Sequence, residues 1–125
     1  MTTTPFQGMM ASSVHVKDIE RARKFYTGVL GFREQMFNRE GKAAYFEVPG
    51  SNVTFVVHEY GGECAKNGGR PPGTVSGIVF AVPEVRRGVE ELQKRGVTIT
   101  DPALYGGTMA SFADPDGNEF TIGTK

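Results

Sequence analysis

Asp114-Pro115-Asp116-Gly117-Asn118-Glu119-Phe120-Thr121-Ile122 reads as a tight turn running into a terminal strand. Proline presets the dihedral that a turn needs, and glycine accepts the positive one that closes it. Phe120 and Ile122 then alternate with Glu119 and Thr121, the pattern of a half-buried strand. An early segment, Val14-His15-Val16-Lys17-Asp18-Ile19, echoes this one and leads into a helix. The pair frames a chain built twice on one plan.

The first helix carries Ile19, Ala22, Tyr26, Val29 and Leu30 on one face, the spacing of an amphipathic helix. Asp18 suits its N-cap, Glu20 its first turn, and Gly31 its left-handed close. A second run opens at Val82-Pro83-Glu84-Val85, sets Val85, Val89 and Leu92 on one face, and closes at Lys94, Arg95 and Gly96. The offset between the halves is about 65 residues, and repetition at that distance signals duplication. Alternation predicts strands at 10–16, 32–38, 42–48 and 53–60 in the first half. In the second half it predicts 75–82, 97–100, 107–113 and 118–123. Each half therefore reads β-α-β-β-β, an α+β plan with modules at 9–60 and 74–124 inside one domain of residues 1–125. Residues 61–73, rich in Gly and Pro, form the connector.

The same alternation sorts side chains by face. Val14, Val16, Phe46, Val48, Phe55, Val57, Ile78, Phe80, Val82, Phe120 and Ile122 belong under the helices. The opposite face carries Ala11, Ser13, His15, Tyr45, Glu47, Thr54, Val56, His58, Gly77, Val79, Glu119, Thr121 and Gly123. That mixture of small, polar and aromatic groups suits the floor of a cleft.

Composition narrows the classes of function. Hydrophobic residues at 38% and charged residues at 22% are ordinary for one globular domain. Fourteen basic side chains balance fourteen acidic ones, so there is no nucleic-acid footprint. No apolar run approaches the roughly 20 residues of a membrane span. The first residues show no basic-then-apolar leader. Cys64 is the single cysteine, read as a loop thiol, which excludes an internal disulfide and fits a cytoplasmic setting.

Several stretches together resemble the vicinal oxygen chelate superfamily of glyoxalase I, bleomycin-resistance proteins, fosfomycin-resistance enzymes and extradiol dioxygenases. They are Val16-Lys17-Asp18-Ile19, Phe25-Tyr26, Val29-Leu30-Gly31-Phe32, Gly77-Ile78-Val79-Phe80-Ala81-Val82, Gly106-Gly107-Thr108-Met109 and Asp114-Pro115-Asp116-Gly117-Asn118. The resemblance spans residues 9–124. It implies paired βαβββ modules whose curled mixed sheets form a U-shaped cleft, and commonly a homodimer. It also implies a divalent metal held by His or Gln, Glu, His and Glu. Those four positions fall here at Ala11, at Val56 (or Phe55, one residue away), at Gly77 and at Thr121. Alanine, valine and glycine side chains have no donor atom and a lone threonine hydroxyl is a poor ligand, so no metal or other cofactor is expected.

The resulting expectation is a small-molecule binder of the bleomycin-resistance kind, serving resistance or sequestration. Tyr45, Val56, Met109 and Phe112 would line the cleft, with Tyr105 and Phe37 as further aromatic walls. His15, His58 and Thr121 would supply hydrogen bonds, and Thr108 would stand on a glycine-softened rim. Zero net charge argues against a cationic glycopeptide as the ligand. The rival is a glyoxalase-type lyase, isomerase or dioxygenase. It would use a metal relocated to His15 and His58, or acid–base catalysis by them with Glu47 or Glu119. A third reading is an accessory domain whose hollow is vestigial.

Overall fold

The computed structural model describes residues 3–62 and 70–125; Cys64 and most of the expected connector lie outside the described residues. The first four-stranded sheet comprises β1 (Ala11–Val16), β2 (Arg33–Asn38), β3 (Ala43–Glu47) and β4 (Thr54–Glu59), in the order β1-β4-β3-β2. The second comprises β5 (Val75–Ala81), β6 (Thr98–Leu104), β7 (Met109–Ala113) and β8 (Glu119–Gly123), in the order β5-β8-β7-β6. Within each sheet the first and last strands run parallel and the other pairs antiparallel. The two sheets thus share one topology at the offset the repeats foretell, and both are open mixed sheets. Helices α1 (Ile19–Lys24) and α2 (Val85–Lys94) supply the crossovers. Among the described residues no helix is long and apolar enough to cross a membrane.

Local chemistry explains the helix ends. Asp18 Oδ1 accepts from Glu20 N and Arg21 N, so the N-cap satisfies two orphan amides. The last turn of the first helix is wider than expected: Phe25–Val29 is π-helical, with Leu30 N donating to Phe25 O. The wide turn lets the consecutive residues Phe25 and Tyr26 both point inward, where regular α-winding would swing one toward solvent. Helix α2 closes on Gly96, with Val97 N donating to Leu92 O.

One core joins the modules. Phe55 is 1% exposed and touches the rings of Tyr26, Phe32 and Phe46 from its own half. It also touches Phe80 and Phe120 from the other half. A polar latch runs beside them. The Tyr26 hydroxyl donates to Asp114 Oδ2 at 2.6 Å, and burial with that carboxylate pushes the phenol pKa well up, so it stays a donor. Asn118 Nδ2 donates to the same oxygen and to His15 O. Asp116 Oδ1 accepts from Lys17 N and from Arg21 Nη2 at 2.7 Å. The turn at Asp114–Gly117 is therefore more than a hairpin: it holds the second module against the start of α1.

Two strands of the second sheet depart clearly from the expected bounds, and a third is bulged. The strand expected at 97–100 extends over Thr98–Leu104 despite Pro102. It lies at the sheet edge and is bulged, where proline removes no needed donor. The strand expected from 107 starts at Met109, because Tyr105, Gly106 and Gly107 all take positive φ in a tight turn. Strand β5 carries a bulge between Val75 and Val79, where Gly77 takes φ +75°.

Candidate functional site

The face of each sheet turned away from the helices is built from three cross-strand rows. In the first sheet they are Asn38-Ala43-His58-His15, Met36-Tyr45-Val56-Ser13 and Arg33-Glu47-Thr54-Ala11. In the second they are Leu104-Met109-Gly123-Ala81, Asp101-Ser111-Thr121-Val79 and Thr98-Ala113-Glu119-Val75. His15, Tyr45, Val56 and His58 thus share one surface, while Met109 and Thr121 share the other. Val56 is buried within its row; Tyr45, both histidines, Met109 and Thr121 are half-buried. Large apolar side chains lie open beside them: Met36, Val75 and Val79 are each more than half exposed.

The parallel register places His15 directly against His58. Their rings stack with centroids 5.3 Å apart and planes at 23°. Partial burial lowers the pKa of both; the charge of Arg70 adds to this at His15, and His15 adds to it at His58. Both are therefore neutral at pH 7, each with one donor and one acceptor nitrogen. His58 Nδ1 is buried without a hydrogen-bond partner among the described residues.

A pH dependence follows. The unfolded chain takes up protons at the ordinary histidine value of about 6.5, while the folded chain resists them. Stability from this pair is complete above that value and is lost as pH falls through it toward the depressed folded values. Thermal midpoints should decline between pH 7.5 and 5.5, and the double variant His15→Asn/His58→Asn should flatten that decline. An unchanged slope would place the acid sensitivity elsewhere.

Two expected cleft residues are corrected. Phe112 lies opposite Phe120 on the helix-side face, 2% exposed, with the two rings stacked at 5.4 Å. It is three residues from Met109, so strand parity sends the two to opposite faces. Phe37 likewise packs against the core, under the Arg23 guanidinium at 3.8 Å. Thr108 stands outside the strands, exposed, its hydroxyl donating to Tyr105 O. Tyr105 is 77% exposed and walls nothing in this chain; its φ of +49° is a conformation aromatic residues rarely adopt.

The positions that the resemblance implies for metal ligands are Ala11, Val56 (or Phe55), the bulged Gly77, and Thr121 between Ser111 and Val79. Among the described residues no three His, Cys, Asp or Glu side chains converge on a cation-sized space. Stacked imidazoles present faces to each other rather than lone pairs to a common point. Glu119 is engaged by the Thr100 hydroxyl, and Glu59 caps Ile19 N and meets Lys42. Among the described residues this donor set does not fit a divalent ion.

The described residues form a larger and a smaller cleft. The larger, about 920 Å³, lies between the 49–53 turn and β5. Its wall includes Val48, Val53, Phe55, Ile78, Phe80 and Val82, and Lys125 is its only titratable lining group among the described residues. Neither histidine lines it, so this hollow and the histidine pair are separate features. The smaller, about 290 Å³, is polar and includes Ser13, His15, Arg70, Thr74 and Ser76. Sequence reasoning missed Arg70, Thr74 and Ser76; the cation following Gly68-Gly69 in the connector was the available signal.

Residues 9–122 match the family described as Glyoxalase/Bleomycin resistance protein/Dioxygenase superfamily. No match is found among curated proteins. A solved structure of a member of that superfamily from Sphaerobacter thermophilus DSM 20745 is 26% identical, with a TM-score of 0.77 and 96% of this chain and 98% of that chain covered. TnmS3, an antibiotic binding protein from Streptomyces sp. CB03234, is 23% identical, with a TM-score of 0.78 and 98% of each chain covered. Lactoylglutathione lyase from Agrobacterium tumefaciens is 18% identical, with a TM-score of 0.72 and coverage of 97% and 96%.

Proposed function

The chain belongs to the Glyoxalase/Bleomycin resistance protein/Dioxygenase superfamily, and from that premise we propose that it binds an organic small molecule without metal, for sequestration or resistance. The carrying observation is the pair of open sheet faces. Exposed Met36, Val75 and Val79 alternate there with Tyr45, His15, His58 and Thr121, while three of the four implied ligand positions, Ala11, Val56 and Gly77, have side chains without a donor atom. Apolar floor with few placed polar groups is the chemistry of a small-molecule site. The faces are uncovered in a single chain, and a second copy of the chain is the proposed cover, forming a homodimer with the ligand between. Sharing a fold with an antibiotic binding protein supports this reading. The setting proposed is the cytoplasm.

Native mass spectrometry of protein purified without chelator tests it. The expected result is a two-chain species carrying an organic mass, with metal far below stoichiometric. A stoichiometric transition metal that disappears in His15→Ala or His58→Ala would overturn the reading in favour of a lyase or dioxygenase.

A further inference from the structure

The small polar crevice lies where the free edge of β1 meets the start of β5. Met10 O and Val16 O accept from Thr54 N and Tyr60 N on the β4 side. Alternation therefore turns the backbone groups of Ser13 and His15 toward the opposite edge, and His15 O indeed accepts from Asn118 there. The crevice lining includes hydroxyls, the His15 imidazole and the Arg70 guanidinium and, among the described residues, no carboxylate. In a chain with equal acid and base, such a one-signed lining is complementary to an anion. Arg21, Arg23, Arg86, Arg87 and Arg95 are all paired with carboxylates. Arg70 has no ion pair among the described residues, and its charge acts on His15. The Ser76 hydroxyl is spent on Glu119 O, which leaves Ser12, Ser13 and Thr74 as the lining residues with hydroxyls to offer.

We propose that this crevice binds the carboxylate or phosphate group of the cleft ligand. Arg70 supplies paired N–H donors, and Ser13, His15 and Thr74 complete the shell. The proposal rests on the binder reading and narrows it to anionic small molecules.

The test is imidazole nitrogen NMR of the full chain, titrated with inorganic phosphate and separately with benzoate at matched ionic strength. Saturable shifts at His15 are expected, and whichever probe saturates first identifies the group. Arg70→Gln should weaken that binding about tenfold or more, the scale of a charge-assisted hydrogen bond. Arg70→Lys should weaken it less, since the charge stays and the fork is lost. Arg70 is exposed, so both variants should melt like the parent. Absence of saturable shifts with both probes, or equal affinity in Arg70→Gln, would overturn the proposal. A neutral organic ligand held equally by Arg70→Gln would also overturn it while leaving the binder reading intact. Phosphate bound through Arg70 in a protein carrying stoichiometric metal would do the reverse.

Discussion

Asp114→Ala should lower folding stability by about 3–5 kcal/mol, the range for removing one partner from a buried charged network. The carboxylate is 5% exposed and accepts from four groups: Tyr26 Oη, Asn118 Nδ2, Asp116 N and Asn118 N. Its loss strands all four in a site that water reaches poorly. A domain of this size has only about 5–15 kcal/mol in total, so the thermal midpoint should drop by roughly 10 °C or more. Tyr26→Phe removes one hydroxyl and should cost about 1–2 kcal/mol. The exposed pair Glu91–Arg95 gives the contrast, since breaking it with Glu91→Ala should cost under about 0.5 kcal/mol. Urea melts of the three variants check the order. A loss below about 1 kcal/mol for Asp114→Ala would mean that packing alone seats the hairpin.

Phe55→Ala is the other large effect, expected at about 3–5 kcal/mol. The ring contacts five aromatic neighbours drawn from both modules, at centroid distances of 5.1 to 6.3 Å. Truncation removes their shared partner and leaves a void that neither half can close without moving the other. Phe55→Leu keeps most of the volume and should cost about 1–1.5 kcal/mol. Because Tyr26 touches both Phe55 and Asp114, the double variant should depart from additivity by about 0.5 kcal/mol or more. Strict additivity would show that the aromatic cluster and the polar latch respond independently. Equal stability of Phe55→Ala and Phe55→Leu would contradict a packed seam.

Much of this architecture was legible in residue order. Period-two alternation placed Val14, Val16, Phe46, Phe55, Val57, Phe120 and Ile122 under the helices, where all are buried. Asp18 and Gly96 marked helix ends that the hydrogen bonds bear out. What failed did so for physical reasons. Phe112 was grouped with Met109 by nearness along the chain, although an odd separation reverses the face. Gly77 cannot be counted along a regular ladder, because a bulge separates it from its neighbours' register. The wide turn at Phe25–Val29 answers a tertiary demand, two adjacent rings seeking one core, which one-dimensional periodicity does not encode. Asp114-Pro115-Asp116-Gly117 declared its turn but not the target of its carboxylates, since Tyr26 lies 88 residues away. The candidate site was less legible than the fold. Sequence parity found the stacked histidines' shared surface, whereas Arg70 lies outside every strand, so no alternation places it in the crevice with His15.

The latch has a consequence for biosynthesis. As the chain leaves the ribosome, the first half lacks Asp114, Asp116 and Asn118, the partners of Tyr26, Arg21 and the His15 carbonyl. Its aromatic interior also waits for Phe80 and Phe120. Nascent chains stalled before residue 114 should therefore stay protease-sensitive, with commitment to the native state waiting for the second module. Two fragments split at the connector should be soluble partners only when produced together.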